Sequence, residues 1–176
     1  MSNITRLVDS LAQLKLTVTA AESLTGGMFQ SRLCACEQAA EVYTGGFITY
    51  SDEAKATLLD FPRRVIEKHG AVSEQVALAM AKGCRRALQA DLGLSFTGVG
   101  GPGPAEGEAP GTVWIGVADC DSAFAREYVF EGAPEEVLEQ TLETGAGLLA
   151  DYVLDNRGRL TCNSEKNRRA DIAENR

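Results

Sequence analysis

An extended apolar run, Leu16-Thr17-Val18-Thr19-Ala20, gives way through Ala21-Glu22-Ser23 to Leu24-Thr25-Gly26-Gly27 and a helical stretch. A β-rich segment that turns at once into a Gly-containing helix start is the joint of an α/β unit, so the chain must layer helices on a sheet. The same joint puts a small hydroxyl residue at the end of a strand and aims backbone amides at whatever binds there.

The rest of the chain repeats this alternation. Ile4, Leu7, Val8, Leu11 and Leu14 lie at helical spacing, which predicts an amphipathic helix over 4–15. A strand is expected over 16–21, a helix over 25–36, and a strand over 42–50 with a bulge at Gly45-Gly46. Ser51-Asp52-Glu53 reads as a helix start, and Pro62 opens a short helix that ends near His69-Gly70. Ser73 caps a longer helix over Glu74–Ala90 whose apolar face includes Val76, Met80, Cys84 and Leu88. Strands follow over 92–97, 112–118 and 125–130, with a Gly/Pro-rich loop from Gly98 to Gly111. A last helix begins after Ala133-Pro134 and is expected to stop at Asn156-Arg157-Gly158. The pattern predicts an α/β fold: a three-layer α/β/α sandwich with a mixed, mostly parallel sheet of about five strands. One domain is expected over 1–157, and 158–176 reads as a polar, basic, disordered tail.

Charge and rare residues narrow the function. The chain carries 17 basic and 25 acidic residues. Six of the basic and three of the acidic ones lie in 156–176, which leaves 11 against 22 in the rest. A body this acidic repels nucleic acid. Cys34, Cys36, Cys84, Cys120 and Cys162 form no CxxC pair and have no nearby histidine, so reduced thiols are expected and no metal site. No signal-like segment and no apolar run near ~18 residues is present, so the reading is a soluble cytoplasmic protein without membrane contact. His69 is the sole histidine, which argues against Ser-His-Asp and Cys-His catalysis.

Ser23, Tyr50 and Lys55 together offer acyl-transfer chemistry without histidine. Amides around residues 24–27, with no side chain at Gly26 or Gly27, are placed to stabilise an oxyanion formed when Ser23 attacks a carbonyl. The plainer alternative makes Ser23 and Thr25 helix caps. Lys55 falls in the first turns of a helix, where helix amides and burial both disfavour its charge and suit it to act as a base, with Tyr50 relaying a proton or holding Ser23. The alternative is a solvated lysine and a core-edge tyrosine. Gly98-Val99-Gly100-Gly101-Pro102-Gly103 matches GxGxxG but leads into a loop rather than a helix, so a Rossmann turn is rejected. The loop remains a candidate phosphate or ribose cradle with Thr97 adding a hydroxyl, or a structural turn.

Four stretches, TAAESLTGG (19–27), GGFITYSDEAK (45–55), HGAVSEQVALAMAKG (69–83) and ADLGLSFTGVGGPG through GTVWIGVA (90–118), together resemble the C-terminal domain of the competence/damage-inducible protein CinA family. The resemblance covers about residues 5–155. It implies nicotinamide-nucleotide amidohydrolase activity: hydrolysis of the carboxamide of nicotinamide mononucleotide (NMN) to nicotinic acid mononucleotide and ammonia, in pyridine-nucleotide recycling. It places the catalytic Ser, Tyr and Lys on Ser23, Tyr50 and Lys55, and implies a mixed-sheet α/β/α sandwich, a homodimer, and no metal or organic cofactor. On this reading the substrate-binding candidates are Thr25, Gly26, Gly27, Arg32, Thr97, Gly98, Gly100 and Gly101. Alternatives of the same fold are a non-catalytic nucleotide- or protein-binding module and an amidase for another small amide. The chain departs from the family at Leu24, where many relatives have Cys, and at Gly100, where Ala is common. Glu108-Ala109-Pro110 stands where relatives often show Lys-Pro-Val, so the lysine of that lead-in is missing.

Overall fold

The structure, a computed structural model, describes residues 2–164. Its elements run α1 (Asn3–Leu14), β1 (Val18–Glu22), α2 (Met28–Cys34), α3 (Ala39–Val42), β2 (Tyr43–Ile48), α4 (Asp52–Leu58), α5 (Arg64–His69), α6 (Glu74–Leu88), β3 (Leu92–Gly98), β4 (Thr112–Ala118), β5 (Ala123–Val129) and α7 (Pro134–Asp155). The strands form one sheet in the order β2-β1-β3-β4-β5. β1 is parallel to β2 and β3, while β4 is antiparallel to both of its neighbours. Four strands therefore point one way and β4 the other, the mixed, mostly parallel sheet expected.

Sequence alternation on β3 explains the layering. Leu92, Leu94 and Phe96 face one side and join Val18, Ala20, Ile115 and the apolar stripes of α1 and α7 in the larger core. Gly93 and Ser95 face the other side, against α6. The approach there is close: a Cβ on Gly93 would lie 2.2 Å from the Ala81 carbonyl oxygen, and one on Gly116 of β4 would lie 2.6 Å from that of Ala77. The Ser95 hydroxyl donates to the Ala77 carbonyl at 2.7 Å, so even the polar group on this face binds the helix backbone. A smaller core of Leu59, Phe61, Ile66, Val76, Met80 and Cys84 fills the space below α4, α5 and α6.

The β2 bulge lies where the glycine pair indicated. The register slips between the Val18–Tyr43 and Ala20–Gly46 pairs, and Gly45 takes φ +120°. His69 ends α5 beside Gly70, again as expected. Two departures concern the helices. The expected 25–36 helix is shorter, because residues 24–27 form a turn, and the expected stop after α7 is only an interruption. Asn156 breaks the helix, but residues 157–164 are helical again. Leu160 is 3% exposed and belongs to the core. Arg159 pairs with Asp119 at 2.7 Å and with Asp121 at 3.3 Å, and Tyr152 donates its hydroxyl to Asp119. Burial pushes the Asp119 carboxyl up, but the hydrogen bonds from Arg159, Tyr152 and two backbone amides outweigh it and bring its pKa down to about 2. The expected tail boundary at 158 thus falls inside packed structure, and the remainder of the tail, 165–176, lies outside the described residues.

Candidate active site

The carboxyl ends of β1, β2 and β3 lie side by side, because Glu22 pairs with Ile48 on one flank and with Phe96 on the other. Ser23, Thr49-Tyr50 and Thr97-Gly98 therefore emerge on one edge, where ligands bind in open parallel sheets. A cleft of about 310 Å³ opens there. It is lined by Ser23, Tyr50, Lys55, Thr97 and the Gly98–Gly101 stretch, with Glu106 on the following loop and Pro134 and Leu138 of α7.

Ser23 is fixed through its backbone. Its amide donates to the Phe96 carbonyl at 2.9 Å, continuing the β1–β3 pairing one residue past the strand. The turn after it is closed by the buried Glu22 carboxylate, which accepts hydrogen bonds from the amides of Gly27 (3.0 Å), Phe29 (3.2 Å) and Gln30 (2.9 Å). This corrects the expectation for Gly26 and Gly27. Glu22 consumes the Gly27 amide, and the Gly26 amide donates to the Ser23 carbonyl at 3.2 Å. Neither donor is available to an oxyanion. Among the described residues, the amides of Leu24 and Thr25 have no hydrogen-bond acceptor, and the buried Thr25 Oγ1 has no partner. Those amides sit in the turn directly after Ser23.

Lys55 is 2% exposed, although it sits in the first turn of a surface helix. Its Nζ donates to the Tyr50 carbonyl at 3.3 Å and lies 3.6 Å from Asp52 Oδ1. Burial lowers its pKa, partly opposed by Asp52 and Glu106. The solvated-lysine alternative is thereby removed. Tyr50 behaves differently: its residue is 76% exposed, and only its backbone is bonded to Lys55. The core-edge alternative fails for it too, since the ring stands at the cleft mouth.

The remaining candidates separate. Gly98, Gly100 and Gly101 line the cleft. A Cβ at Gly98 would lie 2.5 Å from the Thr112 carbonyl oxygen, so pairing with β4 already demands glycine there. The Thr97 hydroxyl donates to the Ala71 carbonyl at 2.7 Å, which uses its proton within the protein. Arg32 is not in the cleft. It extends from α2 to Glu139 at 2.6 Å and borders a different cavity. Sequence reasoning did not single out Glu22 or Glu106. The signal for Glu22 was a carboxylate inside an otherwise apolar strand.

A three-layer α/β/α sandwich with a serine and a buried lysine at the carboxyl edge of its parallel strands defines a class of protein. The sequence profile of the CinA C-terminal domain matches residues 2–153, and the chain belongs to that family. A protein of Lactiplantibacillus plantarum named "Putative competence-damage inducible protein" is 42% identical over 149 residues, 84% of this chain and 36% of the relative. The chain thus spans about a third of the length of the curated relatives it matches. Among solved structures, a CinA superfamily protein of Escherichia coli superposes with TM-score 0.80 at 35% identity, covering 84% of this chain and 87% of that one. One from Klebsiella pneumoniae gives TM-score 0.84 at 30% identity, covering 87% and 96%.

Proposed function

We propose that this chain is an amidohydrolase that cleaves the carboxamide of NMN to nicotinic acid mononucleotide and ammonia, serving pyridine-nucleotide recycling in the cytoplasm. The observation that carries the reading is the buried Lys55, its charge disfavoured, lining the same cleft as Ser23. A neutral Lys55 takes the proton of Ser23 as its Oγ attacks the carboxamide carbon. The amides of Leu24 and Thr25 are the donors left for the developing oxyanion. The lysine returns the proton to the departing amine, ammonia leaves, and water hydrolyses the acyl-enzyme by the same path in reverse order. Tyr50, at the mouth, closes the proton path or covers the substrate ring.

The test is ammonia release from NMN by the purified protein, with Ser23→Ala as control. Loss of several orders of magnitude in turnover with normal folding is expected. Near-normal turnover in that variant would remove Ser23 from the role. A homodimer is part of the reading. The exposed Ile48 at the end of the edge strand β2, with the exposed Tyr50 and Leu58 nearby in sequence, supports it.

A second reading, an amidase for another small amide, is favoured by one observation. Lys55 is the single Lys or Arg lining the cleft among the described residues, so no second cation awaits a phosphate. Comparing NMN with its riboside separates the two. A strong preference for NMN supports the first, and equal rates support the second.

A further inference from the structure

Glu106 has no role in the catalytic sequence above, yet it is held in the cleft by a chain of bonds that begins at the nucleophile. The Ser23 amide donates to Phe96, and the Thr97 hydroxyl donates to the Ala71 carbonyl at 2.7 Å. The Ala71 amide donates to Glu106 Oε2 at 3.2 Å. Glu106 itself adopts φ +55°, a left-handed conformation uncommon outside glycine, within a tight turn closed by mutual Ala105–Glu108 hydrogen bonds. One carboxylate oxygen is thus tied to the cleft wall. The other accepts no hydrogen bond among the described residues.

The charge balance of the cleft gives this carboxylate its significance. Among the described residues, Lys55 and Glu106 are the only charged side chains that line it. Burial drives Lys55 toward its neutral form. As Lys55 loses its proton, the carboxylate of Glu106 is left as the charge on a lining otherwise made of apolar groups, hydroxyls and backbone. The surrounding protein has net charge −8, which reinforces attraction of cations. A carboxamide carried on a neutral ring gains nothing from this arrangement. One carried on an N-substituted pyridinium ring brings a delocalised positive charge into the same space.

We propose that Glu106 is a specificity-determining residue that selects a carboxamide on a cationic, N-substituted aromatic ring over the same amide on an uncharged ring. The inference rests on the reading that a carboxamide is the group presented to Ser23. It deepens that reading by naming the feature recognised: the ring charge, which is common to the nucleotide, the riboside and simpler N-alkyl derivatives.

The test is a chemical-shift titration of the whole protein with 1-methylnicotinamide and with nicotinamide, in wild type and in Glu106→Gln. The glutamine carbonyl can still accept from the Ala71 amide, so the turn is retained while the charge is removed. Glu106 is exposed, so wild type should bind the cationic ligand at most about fivefold more tightly, the upper end for an exposed ion pair. The difference should shrink in high salt and vanish in Glu106→Gln, with nicotinamide affinity unchanged. Equal binding of the two ligands by wild type would overturn the proposal, as would absence of binding by both. An equal loss for both ligands in Glu106→Gln would also overturn it, since that pattern belongs to a residue that only shapes the loop. Ammonia release measured in parallel keeps the two readings apart. Charge preference without ammonia release refutes the amidohydrolase and leaves selection by Glu106. Ammonia release without charge preference does the reverse.

Discussion

Replacing Glu22 with glutamine tests whether a buried carboxylate, rather than the glycines, organises the turn after Ser23. Oε2 accepts from Gly27 and Phe29, and Oε1 accepts from Gln30. Glutamine can place its one carbonyl oxygen at the first position, which keeps two bonds but without the charge. Its NH₂ then faces the Gln30 amide, donor against donor. An unsatisfied buried donor costs about 1–3 kcal/mol, and the loss of charge assistance adds about 1 kcal/mol. The expected destabilisation is about 2–4 kcal/mol, or roughly 5–15 °C in Tm for a chain of this size. Urea unfolding followed by circular dichroism and by Trp114, the single tryptophan, measures it. If Ser23 is the nucleophile, turnover should fall beyond what the unfolded fraction explains, because the Leu24 and Thr25 amides sit in the turn that Glu22 closes. A Glu22→Gln protein within about 0.5 kcal/mol of wild type would refute this account and return the turn to its glycines.

Other perturbations probe separate parts of the fold. Lys55→Met should raise stability at pH 7 by about 1 kcal/mol or more, since it removes a buried amine. A lowered folded pKa means that wild-type stability rises with pH from that pKa toward the ordinary lysine value, so the advantage of Met should shrink in alkaline unfolding titrations. Asp119→Asn should cost about 2 kcal/mol at pH 7. The folded carboxylate pKa is depressed, so its contribution is complete above the ordinary Asp pKa and fades as pH falls toward about 2; acid unfolding curves of variant and wild type should converge there. Gly93→Ala should cost about 2–3 kcal/mol or prevent expression, because its Cβ meets the Ala81 carbonyl at 2.2 Å; a normal Tm would contradict the close α6 packing.

Local chemistry explains which features were readable in the sequence. The β-to-α alternation, the Ser73 cap, the glycine bulge on β2 and the Gly70 helix end all depend on neighbours in sequence, and each is found where expected. Ser23 and Lys55 share a cleft because adjacent parallel strands end together, and strand order does not follow from local pattern. Within the 24–27 stretch the Gly26 and Gly27 amides were expected to be open because Gly26-Gly27 looks like an open helix start until Glu22 is seen to fill it. Arg32 was misplaced because its partner, Glu139, lies far along the chain on α7. The helical restart at 157–164 was missed because Asn156 and Gly158 are ordinary stop residues. Its stability comes from Arg159 meeting Asp119, just past β4, and Tyr152, and from Leu160 meeting the core.

The near-contact of α6 with the sheet fixes how the cleft can respond to a ligand. With backbone almost touching backbone at Gly93 and Gly116, no side-chain cushion allows α6 to slide. Ala71 and Val72, just before its cap at Ser73, move with the sheet as one solid jaw. The glycine-rich loop is pinned to that jaw where the Ala71 amide donates to Glu106, whereas the exposed ring of Tyr50 is not. Narrowing of the cleft around a bound molecule is therefore left to Tyr50 and to the parts of the loop away from Glu106, so substitutions there should act on association and release, while those behind α6 should act on folding.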